Sequence, residues 1–240
     1  DLGIDTVKLA DIISSVREAF KLAADPDFLM GEYRTLRSLI DYVTVDLSAF
    51  YLDVVKDRLY CEGKNSQARR AAQTTIYTIG RALTKLAAPI LCFTAEELWR
   101  HLPRHPGDPD SVHLAHLPQG QPLDPADPLV KRWATLLLYR QLALKEIEAF
   151  RAEKHHPLEA RVTVKPRAED RARLGQYRTQ LADLFGVSSI VLADDDAEGA
   201  PLFEITAAPG VKCARCWKIE NTVSDLCERC QRVVQHGNKT

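Results

Sequence analysis

Residues 213–230 read CARCWKIENTVSDLCERC. Two Cys-x-x-Cys pairs are separated by ten residues, with Trp217 directly after the first pair. Each Cys-x-x-Cys turn aims two sulfurs at one point, and two such turns supply the tetrahedral thiolate set that Zn²⁺ prefers. The spacing predicts one zinc ion held by Cys213, Cys216, Cys227 and Cys230. Four protein thiolates leave no coordination position for water, so the ion is expected to be structural. Disulfides or a redox pair are the alternatives that the spacing leaves open. A redox motif of the thioredoxin kind would occur once, after a strand in a βαβ pattern.

Working outward, the rest of the chain is a mainly α protein. It has 240 residues, 45% apolar and 27% charged, with 32 Lys and Arg against 33 Asp and Glu. That composition is globular and carries no global excess of positive charge, so any nucleic-acid contact must come from local patches. No apolar run approaches the ~18 residues that span a bilayer, and no membrane partner is expected. Cysteines that cluster rather than spread point to a reducing, cytoplasmic setting. The first residue is Asp1 rather than Met, which leads us to expect a piece of something longer.

Apolar periodicity predicts helices over 7–23, over 28–59 (one long helix or two joined by a kink), over 67–87, and over 127–153. Thr94-Ala95-Glu96-Glu97 reads as a capping box that opens a short helix through Trp99 and Leu102. Seven prolines between 103 and 128 mark a connector with one extended stretch, SVHLAHLP. After His155-His156-Pro157 the pattern changes. A strand is expected over 158–164, a single amphipathic helix over 168–185, and short strands over 189–192 and 202–207. The expected organisation is a helical domain over 1–103, the Pro-rich connector over 104–127, a long connecting helix over 128–156, a small α/β subdomain over 157–208, and a zinc-binding tip over 209–240.

The tip carries Lys212, Arg215, Lys218, Arg229, Arg232 and Lys239 against Glu220, Asp225 and Glu228. Even after the double negative charge of a zinc–tetrathiolate it is weakly basic, which suits a phosphate-touching surface if the cations share a face. Trp217 has two readings: a lid packed over the cysteines, or a stacking platform for an unpaired base. Lys64, Arg69, Arg70, Arg81 and Lys85 form a second basic group, read as a solvated helix face or an RNA-backbone contact. His155-His156 and Asp194-Asp195-Asp196 carry no metal-ligand pattern. Cys61 and Cys92 are expected to be half-buried thiols.

Three stretches carry a family resemblance: DLSAFYLDVVKDRLY (46–60), RRAAQTTIYTIGRALTKLAAPILCFTAEELWRHLP (69–103) and LEARVTV (158–164). With the terminal CARCW and LCERC, they resemble bacterial-type isoleucyl-tRNA synthetases, in the same order from about 16 to 234. The resemblance implies a helix-bundle anticodon-binding domain, a connecting α/β region, and a zinc tip that helps hold the tRNA anticodon. It implies isoleucine tRNA and the remainder of the synthetase as partners. The family's HIGH and KMSKS signatures are absent, so ATP and Mg²⁺ are expected only in a catalytic core outside this chain, which alone should be inactive. The expected RNA contacts are Trp217 on a base, Lys218, Arg215 and Arg232 on the nearby backbone, and Lys56, Arg69 and Arg70 along the stem. Residues 1–30 and the His155-His156-Pro157 turn depart from the family pattern. A stand-alone RNA-binding protein, a DNA-binding zinc finger of the repair-glycosylase kind, and a purely structural tip remain as alternatives.

Overall fold

The computed structural model describes residues 35–120, 124–222 and 224–237. The helix expected over 7–23 lies outside them. The chain divides into two compact units, 1–48 and 49–240. In the first, helix α1 spans Thr35–Asp41. The unit boundary falls within a π-helical stretch, Tyr42–Leu52. Of the helix expected over 28–59 the described part begins at Thr35, and it is interrupted at Val55, a turn residue that precedes α2, Lys56–Cys61.

Helix α3 spans Gln67–Ala87, the interval its periodicity predicts, and Pro89 prevents its continuation. Helix α4 (Cys92–His101) folds back on it through Ala95 and Trp99, one helical turn apart and both buried. These two pack with Ala88 and Val112. The indole N–H of Trp99 donates to Pro109 O (3.0 Å). The Arg81 guanidinium lies 4.7 Å from the Trp99 ring centroid and grips Asp108 with two hydrogen bonds of 2.7 and 2.6 Å. Arg81 is therefore an interior brace rather than part of a solvated basic face.

Two local expectations fail here. The capping box at Thr94 does not form, because α4 already begins at Cys92, with Leu91 preceding it and Ala95 N donating to Leu91 O (2.8 Å). The Glu96 carboxylate instead accepts Ser111 Oγ (2.8 Å) and Val112 N (3.0 Å). SVHLAHLP in turn is not extended. Ser111 caps a 3₁₀ turn, Val112–Leu114, that buries Val112. Glu96 thus ties α4 to this turn.

Helix α5 spans Pro128–Ala152. Asp127 caps it by accepting Leu129 N (2.7 Å), and Pro128 at its first position gives up no hydrogen bond. Leu136, Tyr139, Ala143 and Ile147 form its buried stripe. That stripe packs over a three-stranded sheet of order β2-β1-β3, built from β1 (Ala160–Lys165), β2 (Ser189–Leu192) and β3 (Leu202–Ala207). β1 pairs parallel to β2 and antiparallel to β3. It starts at Ala160 rather than 158, because Pro157–Glu159 is a 3₁₀ turn in which His156 Nδ1 accepts Leu158 N (3.1 Å). The helix expected over 168–185 is two, α6 (Ala168–Gln176) and α7 (Arg178–Phe185), broken at Tyr177. Leu174 and Leu181 on either side of the break are both fully buried, so the bend lets both helices cover the same sheet. Gly186, with φ 71°, closes α7 in the left-handed conformation glycine favours. The whole is a helical protein with a small α/β unit, followed by the four-cysteine module.

Asp170 is a buried charge in this core. Its carboxylate accepts the Tyr139 hydroxyl (3.1 Å) and Arg167 Nε (2.8 Å), and Arg167 N donates to the same Tyr139 oxygen (3.0 Å). Tyr139→Phe strands the Arg167 N–H and one carboxylate lone pair. It is expected to cost about 1–2 kcal/mol in urea denaturation. An unchanged midpoint would mean water replaces the hydroxyl.

Candidate metal centre and nucleic-acid interface

Strands β4 (Val211–Lys212) and β5 (Ile219–Glu220) form a two-stranded hairpin whose turn carries Cys213 and Cys216. Gly210 is required at its base: φ is +122°, and a Cβ would lie 2.3 Å from Glu220 O. Helix α8 (Glu228–Gly237) follows. Cys227 stands just before it and Cys230 in its first turn, where free backbone N–H groups favour thiolates. The loop between the pairs is tied to the first turn by Ala214 N donating to Asp225 O (2.8 Å).

These connections bring all four cysteines together. Their sulfurs lie within 4.8 Å of one another and all four residues are buried. Cys216 and Cys227 sulfurs are 3.8 Å apart, and no cysteine is in a disulfide. Burial would raise the Cys213 thiol, but backbone N–H groups of Cys216, Cys227 and Arg215 outweigh it and bring the group down to about 6. Burial instead pushes the Cys216 and Cys227 thiols up. One sulfur is thus ready as a thiolate, and a divalent cation would be needed to hold its neighbours deprotonated as well. The group can hold a metal ion.

Cys61 joins this cluster from α2. It is buried against the four cysteines rather than half-buried, and burial followed by the charge of Asp57 raises its thiol to about 11. Cys92 is exposed.

The residues expected to touch RNA fall into two sets. Trp217 is 59% exposed and stands in the left-handed region, with φ 66°. The Lys212 ammonium is 5.8 Å from its ring centroid. Arg232 and Lys56 are exposed, paired with Glu228 (3.8 Å) and Asp53 (2.8 Å) on their own helices or turns. Arg70 is exposed on α3. The other set faces inward. The Lys218 side chain is 13% exposed, with its ammonium 2.6 Å from Asp183 and 3.9 Å from Asp57. Arg215 donates to the Tyr60 carbonyl (3.2 Å) and the Cys61 carbonyl, and reaches Cys230 Sγ at 3.6 Å. Arg69 donates to Glu62 O (3.1 Å). These three are engaged in holding the chain to itself.

What the sequence reading missed is the surface on which the tip sits. Arg229 of α8 grips both oxygens of Asp57 on α2 and lies 3.2 Å from Glu62. Asp183 of α7 takes Lys218. Ser188 accepts Ile219 N (2.7 Å) and donates to Leu158 O. These partners stand 30 to 172 positions away from those they bind, so no local spacing announces them. Beside this junction lies a cleft of about 560 Å³. Trp217, Tyr60, Lys56, Asp57, His156 and Val187 are among its lining residues, and Tyr60 is strongly exposed. An aromatic rim with cations beside it can stack a base and neutralise a phosphate.

No helix among the described residues is long and apolar enough to cross a membrane. Residues 30–165 match the model for the anticodon-binding domain of tRNA ligase. Residues 1–43, mostly outside the described residues, match the model for a phosphopantetheine attachment site. Among curated proteins, an isoleucine–tRNA ligase of Bacillus cereus and an isoleucine–tRNA ligase 1 of Bacillus anthracis are each 38% identical to this chain over 247 residues. Each alignment covers 96% of the chain and 26% of the relative. The chain thus spans about a quarter of the length of the curated relatives it matches. Since the anticodon-binding model covers more than half of its residues, and its order of helices, α/β unit and four-cysteine module matches the resemblance in its sequence, the chain belongs to the family of anticodon-binding domains of tRNA ligases.

Proposed function

We propose that this chain is the tRNA-docking and zinc-binding portion of an isoleucine–tRNA ligase that works in the cytoplasm. Cys213, Cys216, Cys227 and Cys230 hold one Zn²⁺, which supplies structural charge and rigidity to the tip. ATP and Mg²⁺ act in a catalytic core that this chain does not contain. The chain positions the isoleucine tRNA, so that its acceptor end meets that core. Lys56 and Arg70 are exposed where a phosphate backbone could lie, and such contacts position without reading sequence. The observation that carries the reading is Trp217, an exposed ring at the mouth of the cleft beside the cysteine cluster. A ring that served as a lid would be covered.

The test is binding of the zinc-loaded chain to isoleucine tRNA and to an anticodon-swapped version, across a salt series. Trp217→Ala is expected to lose about 1–3 kcal/mol, roughly 5- to 150-fold in Kd, with zinc content unchanged. Equal affinity for the two tRNAs, or for duplex DNA, would overturn the anticodon reading. Unchanged binding by Trp217→Ala would leave the tip a structural element.

A further inference from the structure

Trp217 is one of two non-glycine described residues with positive φ; the other is Lys154. A bulky residue in that region is strained and persists there only where its surroundings hold it. Its own side chain is exposed and does not provide the hold. The backbone on either side does: Trp217 N donates to Cys213 O (2.9 Å), and Cys213 N donates to Lys218 O (2.9 Å). The next side chain then runs inward. Lys218 Nζ meets Asp183 of α7 at 2.6 Å and Asp57 of α2 at 3.9 Å, and Ile219 N is fixed by Ser188 (2.7 Å). Trp217 therefore stands in the chain between the cysteine turn and a partly buried cation anchored on two helices.

We infer that Lys218, with Asp183, is a positioning element for the Trp217 ring and not a phosphate contact, so that the α2–α7 surface as well as the metal aims the stacking platform. This rests on the stacking reading above. Removing the ammonium leaves the four cysteines in place but releases the Lys218 end of the turn, so that the Cys213 N to Lys218 O bond no longer pins Trp217 and its ring can swing off the cleft mouth.

The test compares Lys218→Met, Asp183→Asn, Trp217→Ala and the double variant Trp217→Ala/Lys218→Met for zinc content and for isoleucine-tRNA affinity over a salt series. Lys218→Met and Asp183→Asn are expected to keep one zinc per chain and to weaken binding about as much as Trp217→Ala. The double variant should bind no worse than Trp217→Ala, since contacts acting as one unit are not additive. The slope of log affinity against log salt should not change. A phosphate contact by Lys218 would instead lower that slope by roughly 0.7–0.9 and make the double variant additive, either of which would overturn the inference. Wild-type affinity in Lys218→Met and Asp183→Asn alone would overturn it while leaving stacking in place. Wild-type affinity in Trp217→Ala would overturn the stacking reading and this role together.

Discussion

Stripping the metal with a strong chelator is expected to unfold residues 209–237 while helix α5 and its sheet stay folded. The described apolar interior of the tip is little more than the four cysteines, Cys61 and Leu226. Helix α8 has ten residues, too few to stand alone in water. A structural zinc held by the four cysteines, with an apparent binding free energy of about 10–16 kcal/mol at pH 7, would then be the main source of order in this segment. Cys213→Ser or Cys230→Ser should give the same result as the chelator, because either variant opens the coordination shell. The readouts are zinc per chain, reactive thiols, and protease sensitivity confined to the tip. Zinc loading should also release the protons of Cys216 and Cys227, whose thiols burial keeps protonated. A metal-free chain with the tip fully folded and its cysteines paired as disulfides would end the metal reading.

The second large effect is expected from Asp57→Ala. This carboxylate receives Arg229 through both oxygens, with Lys218 3.9 Å away. Truncating it leaves two partly buried cations facing a hole, and breaking a buried pair in this way costs about 3–5 kcal/mol. Glu62 and Asp183 remain as partial partners, so the loss should fall toward the lower end. The tip should detach from α2 with its zinc still bound. Tip proteolysis in zinc-saturated buffer separates this from metal loss. The pH dependence has a definite sign. Burial would raise the Asp57 carboxyl, but the Arg229 hydrogen bond and the charge of Lys218 hold it below its ordinary value. Its contribution is complete above the unfolded-chain value of about 4 and is lost as pH falls through the lower folded value. An Asp57→Ala chain as stable as the parent would mean that the metal module docks through its other contacts alone.

Helices α3 and α5 could be read directly from the chain, because an apolar stripe with a capping residue or a proline at its ends specifies a helix wherever it packs. The four cysteines could be read for a similar reason: two sulfurs on each tight turn converge by local geometry. Elsewhere local signals did not decide the outcome. The capping box expected of Thr94 and Glu97 gave way to a helix that already begins at Cys92, and Tyr177 divided a continuous amphipathic pattern. Arg81 left the surface to clasp Asp108.

The amino-acid order alone determined helices α3 and α5, which sulfurs share one site, and that Trp217 stands next to it, since all three depend on residues a few positions apart. Only the tertiary structure decided that Lys218 and Arg215 turn inward while Trp217 turns out. Their partners, Asp57, Asp183 and the Tyr60 and Cys61 carbonyls, lie 35 to 161 positions away. A buried cation goes where its counter-charge is, and chain folding alone brings that charge near.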